Sequence, residues 1–127
     1  MRATFVLGIL LLVSCGTSDL NQQLAGKWIM VSVTIEGQDR SLDLNPENNR
    51  WLSFDLDGQF TSGSGTEQEN AGTYQLDFVT ATLELDSDAG EGDDSNWHIE
   101  IEEDVMIMRG IGTPRQESSV VRLIRAD

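Results

Sequence analysis

Leu24-Ala25-Gly26-Lys27-Trp28-Ile29-Met30-Val31-Ser32-Val33-Thr34-Ile35 is the stretch around which the rest of this chain is organised. From Lys27 to Glu36 it is rich in β-branched residues, which favour the pleated, half-buried surface of a strand over a helix. Ile29, Val31, Val33 and Ile35 fall on one face; Trp28, Met30, Ser32 and Thr34 fall on the other. Both faces carry apolar bulk near the start, so this strand alone leaves its inward face open.

The segments that follow repeat the period of two. Trp51 to Leu56 places Leu52, Phe54 and Leu56 together. Asp57-Gly58 predicts a two-residue hairpin of type I′, which needs positive φ at both positions. Gln59 to Ser62 then returns antiparallel with Phe60 inside, and the Gly, Ser and Thr residues from Gly63 to Asn70 read as an exposed turn. Thr73 to Phe78 aligns Tyr74, Leu76 and Phe78, and Thr80 to Asp86 aligns Ala81, Leu83 and Leu85. Trp97 to Ile101 separates Trp97, Ile99 and Ile101 from His98 and Glu100. Val105 to Arg109 opposes Val105 and Ile107 to Met106 and Met108, and Val120 to Arg125 closes the chain. Gly37 to Asn49 is a long polar connection and the expected lid or rim loop. Eight short strands with hairpin-length connections predict an all-β, eight-stranded antiparallel up-and-down barrel, because closure removes the edges an open sheet would expose.

Composition narrows the function. The 127 residues suffice for one domain, and 22 acids against 8 bases give a net charge of −14. Such a surface repels nucleic acid and anionic headgroups. Lys27 is the only lysine, and one cysteine allows no intrachain disulfide.

That cysteine ends the leader. Met1-Arg2 is a short positive segment, and Phe5 to Val13 is an apolar run too short to span a bilayer, which takes about 20 residues. It runs into Leu12-Val13-Ser14-Cys15-Gly16, which resembles the bacterial lipobox. The resemblance implies a signal peptide over residues 1–14, acylation of Cys15, and a membrane anchor in the cell envelope. Several acyl chains hold a protein stably where one does not. The absence of Asp after Cys15 points, by the same resemblance, to an outer rather than an inner membrane. Removing residues 1–14 takes away Arg2 and no acid, moving the charge from −14 to −15. Residues 15–23 read as the lipidated cysteine and a tether, with a helical turn beginning at Ser18 or Asp19, and residues 24–127 as the barrel domain.

The order of signals in that domain resembles a known family. Leu24-x-Gly26-x-Trp28 opens the first strand, Leu52-Ser53-Phe54-Asp55-Leu56-Asp57-Gly58-Gln59-Phe60 makes a hairpin, Gly72-Thr73-Tyr74-Gln75-Leu76 opens the next strand, and Arg122-Leu123-Ile124-Arg125 ends the last. This is similar to the small lipocalin-like lipoproteins of bacterial envelopes, within the calycin group. The resemblance implies that Trp28 plugs one end of the barrel, that Arg122 or Arg125 lies over its ring, and that Gly26 lets the chain turn under the floor. Without its leader the chain is short for a full lipocalin and shows no C-terminal helix signal.

Candidate chemistry is sparse. His98 is the single histidine and no Gly-x-Ser-x-Gly motif accompanies it, so it reads as an exposed strand residue and the protein as a non-enzyme without cofactor. Asp86, Asp88, Asp93 and Asp94 form an acidic glycine loop with the charge for calcium but not the spacing of an EF-hand. Phe54, Phe60, Tyr74, Phe78 and Trp97 are the candidate lining of the barrel. They either fill it or leave a small apolar pocket for a lipophilic ligand. The expected partners are the membrane, through the anchor, and a small hydrophobic molecule. The alternative is a filled barrel that binds protein or polysaccharide through its rim. No nucleic acid is expected, and the barrel reads as a monomer.

Overall fold

A computed structural model describes residues 19–90 and 94–126. Nine strands form one antiparallel sheet: β1 (Gly26–Ile35), β2 (Gln38–Asp39), β3 (Arg50–Phe54), β4 (Gln59–Ser64), β5 (Glu67–Asp77), β6 (Thr82–Ser87), β7 (Ser95–Glu102), β8 (Val105–Ile111) and β9 (Ser119–Arg125). From β3 to β9 each strand pairs with its successor, and β9 pairs back onto β1 from Ile35↔Ser119 to Trp28↔Arg125. The protein is thus an eight-stranded closed barrel of lipocalin-like type, with β2 as a short ninth strand beside the end of β1. Among the described residues three short helices accompany it: α1 (Asp19–Leu24), α2 (Ser41–Leu44) and α3 (Pro114–Glu117).

Alternation places the core. Phe54, Phe60, Tyr74, Leu83, Leu85, Ile99, Met106, Met108, Val121 and Leu123 are buried in one cluster, with Leu52, Leu76, Trp97 and Ile101 packed against it. In β8 the methionines take the interior and Val105 and Ile107 the outer wall. The unbranched thioether adapts to an irregular space better than the branched side chains do.

The ambiguity of β1 has a physical resolution. Met30 pairs with Leu123 and Ser32 with Arg122, so Val31 is an extra residue in a β-bulge. A bulge shifts the pleat by one position. Trp28 and Met30 therefore point inward before it, and Val33 and Ile35 after it, while Val31 turns to solvent. Both faces carry bulk because each is the inner face over half the strand.

The barrel has two unlike ends. The floor holds the start of β1, the β3–β4, β5–β6 and β7–β8 turns, the end of β9, and α1. The rim holds β2, α2, the β4–β5 turn, the acidic loop and α3. The β3–β4 connection departs from the expected two-residue turn. Only Gly58 has positive φ (89°), and the backbone N–H of Asp55 bonds the Gln59 carbonyl at 3.0 Å. Leu56-Asp57-Gly58 is therefore a three-residue loop ending on a left-handed glycine. The type I′ pattern occurs instead at Glu36-Gly37, between β1 and β2, where both φ values are positive. The β4–β5 hairpin is longer than expected: Gly63 and Ser64 stay in β4, and β5 begins at Glu67.

Candidate functional site

At the floor Trp28 is fully buried, and its indole N–H donates to the Leu24 carbonyl at 2.8 Å. Arg125 lies over the ring, its guanidinium carbon 4.2 Å from the centroid. The same guanidinium donates to the carbonyls of Ala25 at 3.0 Å and Gln23 at 2.6 Å. It thereby satisfies groups left open where α1 ends. Gly26 sits at φ +113°, and a side chain there would meet Arg125 Nη1 at 3.4 Å. Leu20 and Leu24 of α1 pack against the core. Arg122 has no part in this cap: it alternates outward from the buried Val121 and Leu123. Of the two arginines the resemblance allowed, the one over Trp28 is Arg125, because its register partner is Trp28 itself.

The five expected lining residues separate. Phe54 and Tyr74 meet edge to face inside the barrel, with centroids 5.3 Å apart and planes at 85°, and Phe60 is buried beside them as the register partner of Phe54. Trp97 packs against the same core and donates its indole N–H to Ser95 Oγ at 2.8 Å. Phe78 is a correction: it is 64% exposed and outside the lumen. Its strand ends one residue earlier because Asp77 Oδ1 accepts from the backbone N–H groups of Val79 at 3.0 Å and Thr80 at 3.4 Å. Such a carboxylate-capped turn competes with the ladder and reverses the chain. Leu56 leaves the core for the same reason. Asp55 Oδ1 accepts from the N–H groups of Asp57 and Gln59, both at 2.9 Å, and turns Leu56 into solvent.

Concavities of the described residues open at the floor, at the rim and on the outer wall of the barrel. One of about 670 Å³ opens in the floor beside α1, between Asn21, Leu56, Gly58, Tyr74, Leu76 and Phe78. The Tyr74 hydroxyl donates to the Asp55 carbonyl, and the Tyr74 N–H donates to Gly58 at 2.9 Å, which fixes the β3–β4 tip against this groove. Burial, reinforced by Asp55 and Asp57, holds the Tyr74 phenol above its ordinary 10.0.

The polar candidates are scattered. His98 stands on β7, alternating with inward Trp97 and Ile99, opposite Arg109. Of the acidic loop, Asp93 lies outside the described residues. Asp94 Oδ1 accepts the Ser87 N–H at 2.8 Å, while Asp86 and Asp88 are exposed. Among the described residues no three His, Cys, Asp or Glu side chains gather as a metal site. Cys15 also lies outside the described residues.

Asn45 is the residue the sequence reading missed. It is 4% exposed, donates to the Met30 carbonyl at 3.0 Å, and accepts from the N–H groups of Asn49 and Arg50, each at 3.1 Å. β1 pairs with β3 only as far as Ile29, and residues 40–49 fill the seam that opens above it. Ser41 Oγ takes the Val33 N–H at 3.0 Å, and the Arg40 N–H bonds the Val33 carbonyl at 2.8 Å. The loop expected as a lid is sewn into the wall. An asparagine before proline reads as a turn, and nothing local says that it will be buried.

No family model matches the sequence, and no curated protein matches it. A solved structure of a DUF4847 family protein from Bacteroides vulgatus ATCC 8482 is similar to it over 82% of this chain and 96% of that one, with a TM-score of 0.57 at 13% identity. At that identity the likeness is one of fold: the two chains share a barrel architecture.

Proposed function

We propose that this chain is a lipid-anchored, non-catalytic protein of the bacterial cell envelope, in the outer membrane, that works by binding a protein or polysaccharide through its rim. The observation that carries this reading is the packing of the lumen. Trp28, Phe54, Phe60, Tyr74, Leu83, Leu85, Ile99, Met106, Met108 and Leu123 form one buried cluster. An eight-stranded barrel is about wide enough for its own side chains. A fatty-acid-sized ligand would have to displace rings whose contacts it could not replace. The rim offers the binding surface: α2 presents Leu42 beside Arg40, and the loops around it carry carboxylates and amides. The membrane reading rests on Leu12-Val13-Ser14-Cys15. The outward position of His98 favours a wall residue over a catalytic one.

A second reading, a carrier of a small lipophilic molecule, draws on the floor groove, where Leu56, Tyr74, Leu76 and Phe78 offer an apolar lining. Titration of the full chain with a fluorescent fatty acid separates the two. The interaction reading expects no saturable binding. Tight binding that quenches the tryptophans would overturn it in favour of the carrier. The mass of the N-terminal peptide tests the anchor: acylated Cys15 is expected, and an unmodified thiol would end that part of the proposal.

A further inference from the structure

We infer that the floor of the barrel is a membrane-docking face, on which Leu56, Phe78 and Val79 seat in the outer layer of a bilayer of zwitterionic phospholipid; this rests on the anchored reading of Cys15.

Three large apolar side chains stand exposed on two adjacent turns of one end. Leu56 is at the tip between β3 and β4, and Phe78 and Val79 are at the tip between β5 and β6, with exposures of 63%, 64% and 82%. The tips are neighbours because β4 pairs with β5. Both are built by the same device, an aspartate whose carboxylate accepts two backbone N–H groups and turns the next residue outward. Hydrogen bonds from N–H groups already occupy Asp55 and Asp77, which eases their approach to a headgroup layer. The groove between the tips and α1 extends the apolar surface inward through Tyr74 and Leu76. Leu56 and Phe78 line this one groove together with Asp57 and Asn21, and exposed apolar surface gathered in this way marks an interaction site. The net charge of −14 argues against anionic lipid.

Where the described chain begins selects the occupant. Asp19 opens α1, which crosses the floor, and Cys15 precedes it by four peptide units, which span at most about 14 Å. The wall of strands stands roughly 20 Å tall. A barrel held at Cys15 can therefore set its floor on the bilayer, but it cannot bring its rim there. Among the described residues Leu42 is the other strongly exposed leucine, at 84%, and it sits on α2 at the rim. Tether length leaves it facing away from the membrane.

The test uses the full acylated chain in phosphatidylcholine vesicles, with a nitroxide label at Val79→Cys or at Leu42→Cys. Both positions are exposed. Flotation and the mass of the Cys15 peptide report anchoring; relative accessibility to oxygen and to an aqueous nickel chelate reports depth. The expected result is that both chains float and that the oxygen-to-nickel ratio is several-fold higher at Val79 than at Leu42. Floating chains with equally aqueous labels would overturn the docking while leaving the anchor standing. Strong spin–spin broadening at Val79 would overturn it in favour of a second copy covering the patch. An unmodified Cys15 would remove both this inference and the reading beneath it.

Discussion

At the floor, Arg125 reaches back to the carbonyls of Ala25 and Gln23, residues 100 and 102 positions away, across the face of a fully buried tryptophan. At the rim, Asn45 binds Asn49 of its own loop and Arg50 at the start of β3, and its longest tie, to Met30, spans 15 positions. The floor joins the two termini of the described barrel through an apolar ring and a cation. The rim joins a loop to its nearest strand through amides that water can partly replace. Closure of the barrel therefore depends on the floor, and residues 40–49 can loosen without opening it.

The largest loss of stability is expected from Trp28→Ala at the floor. It removes a fully buried ring, a hydrogen bond to Leu24 and the surface on which Arg125 lies. Loss of about 3–5 kcal/mol is expected, read as a fall in the urea midpoint. A loss smaller than that of any rim variant would invert the comparison.

Next comes the pair of arginines. Arg125→Ala should cost about 2 kcal/mol, since it strips two charge-assisted bonds from partly buried carbonyls. Arg122→Ala, on the outer wall, should stay within about 0.5 kcal/mol. The exposed contact of Arg125 with Asp104 at 3.5 Å adds little to this difference. Equal effects at the two positions would show that the cap over Trp28 is not what holds the floor.

At the rim, Asn45→Ala should cost about 1.5 kcal/mol by leaving the Met30 carbonyl and two N–H groups without their partner. Hydrogen exchange distinguishes the regions. Protection should fall across residues 40–50 and hold at Trp28 and Arg125. A global loss of protection would mean that the seam, too, is part of the closure.

Among the buried positions the smallest effect is expected at Tyr74→Phe, about 1 kcal/mol, from the hydroxyl bond to the Asp55 carbonyl. Its pH dependence sharpens the assignment. The folded phenol titrates above its ordinary 10.0, first through burial and then through Asp55 and Asp57. Its contribution is complete below pH 10 and is lost as pH rises through the raised folded value, because the unfolded chain releases the proton first. The unfolding free energy measured from about pH 9 to about 11.5 should therefore fall more steeply in the native chain than in the variant. Parallel curves would remove Tyr74 from the account.

Much of the barrel was legible because a strand's period of two needs only local sequence. Trp97, Ile99 and Ile101 on one face, and Leu83 with Leu85, lie as alternation predicts. Where alternation misled, a short-range polar group had ended the strand. Phe78 continues the series of Tyr74 and Leu76 on paper, but the Asp77 carboxylate captures the next two N–H groups and the series stops. An aspartate directly before the apolar residue was the available signal, at Asp55-Leu56 as well as at Asp77-Phe78.

By itself, the sequence determined the all-β class, the number of wall strands, most inward residues and the acidic composition. These depend on periodicity and composition, which are properties of neighbours along the chain. Tertiary structure alone decided the bulge at Val31, which gives β1 two inner faces in succession. It also decided that Arg125 rather than Arg122 covers Trp28, and that Asn45 is buried in the seam between β1 and β3. Each of these follows from the register between segments distant in sequence, and register is fixed only when the barrel closes and every inward side chain must find room at once.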